Sequence, residues 1–364
     1  MRKQSIAALA VASANVVPLR PEASTGVPLP RQAGQYPELR YMGSKKRLLP
    51  WIYQVLDSLD FETACDPFTG TGCVAYLIKA MGRRVIASDF LNFSSIIASA
   101  TVENGTQRLD GKAIKALIEK TPNTHNFIER TFSGVFFTLE DLRFLDCVSG
   151  NIRQLENPYQ QAIAFASLFR SCLKRQPRGV FTVSGDLSHY DDGRRDLKLS
   201  LEEHFLEQVQ VFNAAVFDNR RQNHAFCADV FELPRRKVDL VYLDPPYVPR
   251  ADDNCYIKRY HFLEGLSCYW QGLSVDKSTR SRRSLSDTRP LAIAAPPLTP
   301  LTACLPVSRV APSCCLTART AIPISSSSRR CCASTSAPSA SSKSPTAIIS
   351  ALTMRSRAPA SANI

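Results

Sequence analysis

The tetrapeptide Asp244-Pro245-Pro246-Tyr247 closes the apolar run Val238-Asp239-Leu240-Val241-Tyr242-Leu243. An acid, two prolines and an aromatic at the end of a buried strand suit the capture of a planar base that bears an amine. Pro245 carries no N–H and Pro246 fixes its own φ, so the carbonyls there are rigidly aimed and not consumed by a ladder. Asp244 can accept a hydrogen bond from an amino group, and Tyr247 offers a ring face for stacking. A strand-end turn with two prolines explains the same four residues equally well, so their meaning rests on context.

A second constellation lies earlier in the chain. The loop Asp66-Pro67-Phe68-Thr69-Gly70-Thr71-Gly72 lets a backbone pass close to a ligand at the carboxyl end of a strand, where open α/β sheets bind. Its short G-x-G is not the dinucleotide spacing G-x-G-x-x-G. Asp89 ends the following strand, where an acid can grip ribose hydroxyls. A helix cap and a solvated acid would explain either feature alone. Together they favour a cofactor that contains a nucleoside.

These residues need a parallel sheet to bring them together. Leu48, Leu49, Trp51, Ile52, Val55, Leu56 and Leu59 recur at helical spacing and mark an amphipathic helix. A strand over 62–66, the glycine loop, a helix from Val74 to near Gly82 and a strand over 84–89 make a βαβ unit. Residues 107–220 favour helices, with a polar loop near Gln176-Pro177-Arg178-Gly179. The strand pattern returns at 225–229 and again at 238–244. The expected organisation is an α/β catalytic domain over 37–106 and 221–273, interrupted at 107–220 by a mainly helical insert.

Composition narrows the rest. The 364 residues carry a net charge of +13, but residues 274–364 hold 12 Lys and Arg against 2 Asp and Glu. The body of the chain is nearly neutral, so net charge gives no argument for a nucleic-acid partner. Twelve cysteines without a C-x-x-C suggest neither a zinc site nor a disulfide scaffold. The histidines form no ligand cluster, and no metal is expected.

Ile6 to Ala14 mimics a weak signal peptide. The proline-rich stretch that follows reads instead as part of a flexible extension over 1–36, and a cytoplasmic location is expected. No stretch approaches a membrane span. Beyond Trp270 there is no aromatic and beyond Gly272 no glycine, while residues 274–364 hold 20 serines. That segment reads as a low-complexity tail, disordered or translated out of frame.

Four features in order, Arg40-Tyr41-Met42-Gly43-Ser44-Lys45, the loop 66–72, Ala87-Ser88-Asp89 and Asp244-Pro245-Pro246-Tyr247, resemble the D12 or Dam-like class of adenine-specific DNA N6-methyltransferases. The resemblance covers roughly residues 37–272. It implies a Rossmann-like sheet that binds S-adenosyl-L-methionine, with target recognition in the insert.

By that resemblance Tyr41 and Lys45 lie against the cofactor, Asp66 and Phe68 line its amino-acid end, and Gly70 gives it room. Asp89 holds the ribose and Asp229 contacts the adenine ring, although Val230 stands where an aromatic often follows that acid. Asp244, Pro245, Pro246 and Tyr247 hold the target base, Asp244 also lying against the cofactor. His261 and Phe262 follow the tetrapeptide and could help to close the pocket, with core packing the stronger expectation for Phe262. Arg170, Lys174, Arg175 and Arg178 are expected groove or phosphate contacts. Double-stranded DNA and a restriction endonuclease of the same system are the implied partners. The tail permits a second reading, a non-catalytic product of a disrupted gene whose C-terminal strands have been replaced.

Overall fold

The computed structural model describes residues 28–120, 126–182, 193–233, 237–245, 256–286 and 347–350. Four short strands carry the site: β1 (Thr63–Asp66), β2 (Arg84–Asp89), β3 (His224–Cys227) and β4 (Leu240–Leu243). They run parallel in the spatial order β3-β2-β1-β4. A separate antiparallel pair, β5 (Leu273–Asp276) and β6 (Arg283–Ser286), follows. Finally β7 (Ala347–Ser350) pairs in parallel with the outer edge of β4. The middle residues of β1 and β2 are almost uniformly buried, as strands with helices on both faces must be.

The helices divide into two groups. α1 (Leu49–Asp57) and α2 (Cys73–Ala80) cover the sheet, and their apolar side chains join Val85, Ala87 and Leu240 in one core. α3 (Asn92–Ala98) follows β2 directly. The chain between β2 and β3 then builds α4 (Gly111–Ile118), α5 (Phe127–Phe132), α6 (Leu139–Arg153), α7 (Pro158–Arg175), α8 (Arg195–Lys198) and α9 (Leu201–Ala215).

Local chemistry starts these helices where they begin. Asn157 accepts from the backbone of Tyr159 at 2.9 Å and Gln160 at 3.3 Å ahead of α7, with Pro158 at the first helical position. Ser200 and Glu203 make a reciprocal capping box at α9. Each such cap contributes about 1 kcal/mol.

The helical insert does not stand apart. Phe132, Phe169, Phe181 and Phe205 share one continuous core with Phe93 of α3 and with Phe262 of the last helix, α10 (Tyr256–Cys268). Phe132 meets Phe262 edge-on at 5.0 Å, and Phe181 stacks on it at the same separation.

The described parts of two regions that the sequence placed outside the catalytic domain, residues 28–36 and 274–286, are packed. Ala33 and Tyr36 are buried, and Tyr36 donates its hydroxyl hydrogen to the Thr71 carbonyl at 2.8 Å. Past residue 273, the Trp270 indole N–H donates to Ser284 Oγ at 2.7 Å, which seats β6 beside α10. Polarity concealed both, because a single buried aromatic or one indole hydrogen bond leaves no periodic trace.

Candidate active site

The site lies at the carboxyl ends of β1, β2 and β4. The strand register decides this: Asp66 sits opposite Ala87, two residues before Asp89. β4 flanks β1 on its other side and delivers Asp244 just beyond Leu243. Three carboxylates far apart in sequence therefore share one edge.

Asp66 is 1 % exposed, and its Oδ1 has no hydrogen-bond partner among the described residues. Burial pushes its carboxyl up to about 8, and the nearby charges of Asp244 and Asp89 push the same way. The Phe68 N–H and the Thr69 hydroxyl pull back. Asp89 rises to about 7, chiefly by burial and further by Glu264. It accepts from the backbone of Gly70 at 2.8 Å and Leu91 at 2.9 Å, both of which favour its ionised form.

The glycine loop is shaped by two neighbours. Gly70 has φ +54°, and a Cβ there would stand 3.3 Å from the ring of Tyr41. Tyr41 stacks on Tyr260 of α10, with ring centres 4.7 Å apart. The Met42 N–H donates to the Tyr260 hydroxyl at 2.8 Å. The segment 40–45 is thus clamped between the loop and α10. At its end Lys45 forms an ion pair with Asp244 and donates to the Gly43 carbonyl at 3.0 Å.

Other predicted residues fall elsewhere. Phe68 is half-buried within the loop, and Pro245 follows Asp244 at the strand end. Asp229 lies two residues beyond β3 and accepts from the Phe231 N–H at 2.9 Å, capping a short turn over 230–232. Phe231 itself is 41 % exposed, an apolar ring beside an acid on the binding edge. Pro246 and Tyr247 lie outside the described residues.

Three of the expected DNA contacts have partners within the chain. Arg170 donates to the Glu38 carbonyl at 2.8 Å and to Gln208. Lys174 pairs with Asp196 at 2.8 Å and Arg175 with Asp141 at 3.3 Å. Lys174 and Arg175 tie the insert together and Arg170 also joins it to the segment before α1, whereas Arg178 is exposed. His261 is buried, and burial takes it down to about 4. Its Nε2 lies 3.1 Å from the Phe181 carbonyl, and its Nδ1 accepts from the Ser284 N–H. That pairing makes it a structural strut.

Sequence reasoning named His261 and Phe262 of α10 but missed the residues of that helix that touch the site, Tyr256, Tyr260 and Glu264. Tyr256 and Tyr260 pack on Tyr41, and Glu264 accepts from the backbone of Asn92 at 3.1 Å and Phe93 at 3.2 Å, beside the Asp89 turn. Spacing could not reveal this, since contacts across more than 170 residues have no local signature.

A parallel sheet with a glycine loop after β1, an acid ending β2 and Asp-Pro ending β4 defines a Rossmann-like methyltransferase. The family model for D12 class N6 adenine-specific DNA methyltransferases matches residues 41–269, and the chain belongs to that family.

It is 34 % identical over 242 residues to the type II methyltransferase M2.HphI of Haemophilus parahaemolyticus, spanning 63 % of this chain and 71 % of that protein. It is 30 % identical over 253 residues to modification methylase StsI of Streptococcus sanguinis, and 24 % over 251 residues to modification methylase LlaI of Lactococcus lactis subsp. lactis. The chain spans only 36 % and 38 % of those two proteins. Among the described residues no helix is long and apolar enough to cross a membrane, and no group of three or more His, Cys, Asp or Glu side chains is placed so that it could hold a metal ion.

Proposed function

We propose that this chain methylates N6 of a flipped-out adenine at a specific site in double-stranded DNA, with S-adenosyl-L-methionine as donor. The observation that carries the reading is the parallel pairing of β1 with β4, which brings the glycine-loop acid Asp66 and Asp244 to the same edge of the sheet. A target-holding acid and a cofactor-holding loop must adjoin for a methyl group to pass directly between them.

The donor fits the residues present. S-adenosylmethionine supplies an electrophilic methyl group on a positively charged sulfonium and also bears an ammonium group. Asp66, Asp89 and Asp244 make the sheet edge acidic, and the buried Asp66 Oδ1 lacks a hydrogen-bond partner among the described residues. A cationic ligand answers both features. Asp66 and Phe68 would hold the amino-acid end, Tyr41 and Gly70 would border the middle, and Asp89 would take the ribose. Asp229 and the exposed ring of Phe231 would flank the adenine of the cofactor.

On the target side, Asp244 and the Pro245 carbonyl would each accept one hydrogen of the adenine amine. That turns the N6 lone pair toward the methyl carbon. Orientation of this kind is worth up to ~7–11 kcal/mol of barrier in favourable cases. Tyr247 would stack on the base and help to offset an unstacking cost of roughly a few kcal/mol. The names of the relatives support a role in modification, in which methylation protects DNA from a restriction endonuclease that reads the same word. The helical insert over 107–220 is the proposed reader of that word.

The test is transfer of labelled methyl from S-adenosylmethionine to adenine in unmethylated DNA by the purified 364-residue chain. Label at N6 that disappears in Asp244→Ala supports the reading. Absence of label with the intact chain returns the protein to the non-catalytic alternative.

A further inference from the structure

Lys45 stands in the segment expected to lie against the cofactor, yet its ammonium is directed at the target-holding acid. It pairs with Asp244 Oδ2, and the two side chains are only 10 % and 14 % exposed. The same Nζ donates to the Gly43 carbonyl at 3.0 Å. Gly43 is in the left-handed region at φ +78°, where a Cβ would fall 2.7 Å from the Tyr256 hydroxyl. Backbone conformation and α10 together fix the carbonyl that fixes the lysine.

The surroundings make that cation necessary. From β1, Asp66 lies within electrostatic reach of Asp244, whose charge helps to keep Asp66 protonated at neutral pH. From the start of α2, the Cys73 thiol feels both Asp244 and Lys45. Asp89 stands behind Asp66 on β2. Among these groups Lys45 is the one cation, set within a cluster of three acids and a thiol. Asp66 already keeps its own proton at neutral pH, and without a counter-ion burial would favour a proton on Asp244 as well. An Asp244 that carried that proton would have lost acceptor capacity for the amine of adenine.

We infer that Lys45 is a positioning residue of the transfer reaction, the buried counter-ion that keeps Asp244 ionised and fixed in place before the target base arrives. This rests on the reading of Asp244 as the acceptor for the adenine amine. The same ion pair argues that Asp244 orients and does not act as the base, because a cation against it weakens its hold on a proton.

The test is a carbon-13 titration of the Asp244 carboxyl in protein labelled at aspartate Cγ, assigned with Asp244→Asn and compared across wild type, Lys45→Met and Lys45→Arg. An opposite charge at this range lowers a carboxyl by about 1–3 pH units. The Asp244 midpoint should therefore rise by that amount in Lys45→Met and stay within about 0.5 unit of wild type in Lys45→Arg, which retains the charge. The acid limb of kcat/KM on unmethylated bacterial DNA should move with it in Lys45→Met. An unmoved Asp244 midpoint, or a tenfold loss of cofactor affinity with an unmoved midpoint, overturns the assignment. A shifted midpoint in a chain that methylates no adenine upholds the ion-pair role and defeats the transfer reading, so the two failures are distinct.

Discussion

The Gly70 N–H donates to Asp89 Oδ2 at 2.8 Å, so the loop that leaves β1 is tied to the acid that ends β2. One carboxylate thereby sets the shape of the loop as well as facing the binding edge. The Leu91 N–H occupies its other oxygen at 2.9 Å.

Asp89→Ala should accordingly do two things at once. Leaving the Gly70 and Leu91 N–H groups without an acceptor costs roughly 1–3 kcal/mol for each that stays dry. Chemical denaturation should show that loss, and calorimetry should show at least a tenfold weaker affinity for S-adenosylmethionine, or about 1.4 kcal/mol. Unchanged cofactor affinity would remove Asp89 from the proposed ribose site.

Gly70→Ala and Gly82→Ala form a matched pair. Both glycines have positive φ, +54° and +79°, but only at Gly70 would the new Cβ meet another residue, the ring of Tyr41 at 3.3 Å. Each substitution should cost about 1–2 kcal/mol in backbone strain. Only Gly70→Ala should also displace Tyr41 and weaken cofactor binding. Equal binding losses in both variants would show that the loop effect is general destabilisation.

Asp66 is held at about 8 chiefly by burial, well above the ordinary carboxyl range, so its charged form is disfavoured in the folded chain. The unfolded chain loses this proton near pH 4 and the folded chain only near pH 8. Stability should fall as pH rises across that window and level off above it. Asp66→Asn, which cannot ionise, should flatten this decline and be the more stable protein at pH 8.5 by about 1–3 kcal/mol. Urea denaturation of both proteins at pH 5 and pH 8.5 measures the difference. A decline that persists unaltered in Asp66→Asn refutes the assignment.

Tyr260→Phe and Tyr260→Ala separate a hydroxyl from a ring. The first leaves the Met42 N–H without its 2.8 Å acceptor and should cost about 1 kcal/mol. The second also removes the ring stacked on Tyr41 and should cost about 3–5 kcal/mol, in line with deletion of a buried aromatic. Cofactor affinity should follow the ring and survive loss of the hydroxyl, because the stack is what sets Tyr41 against Gly70.

Much of this protein is legible along the chain. Apolar runs of strand length, a glycine loop after the first and acids at the strand ends specify a parallel sheet with its site at the carboxyl edge. The reason is local: strand burial, loop conformation and helix capping depend on residues a few places apart. Asp66, Asp89 and Asp244 could each be named because each ends a strand.

What each acid faces was settled only by the fold. Sheet order places β4 beside β1, and that neighbourhood lets the charge of Asp244 act on Asp66. The path of segment 40–45 swings Lys45 onto Asp244 across some 200 residues of sequence. Arg170, Lys174 and Arg175 read as DNA contacts by charge, and the fold gives them partners that charge did not name, Gln208, Asp196 and Asp141. A side chain's type gives what it can bond. Only the tertiary structure, by bringing distant segments within hydrogen-bond reach, decides which bond it makes.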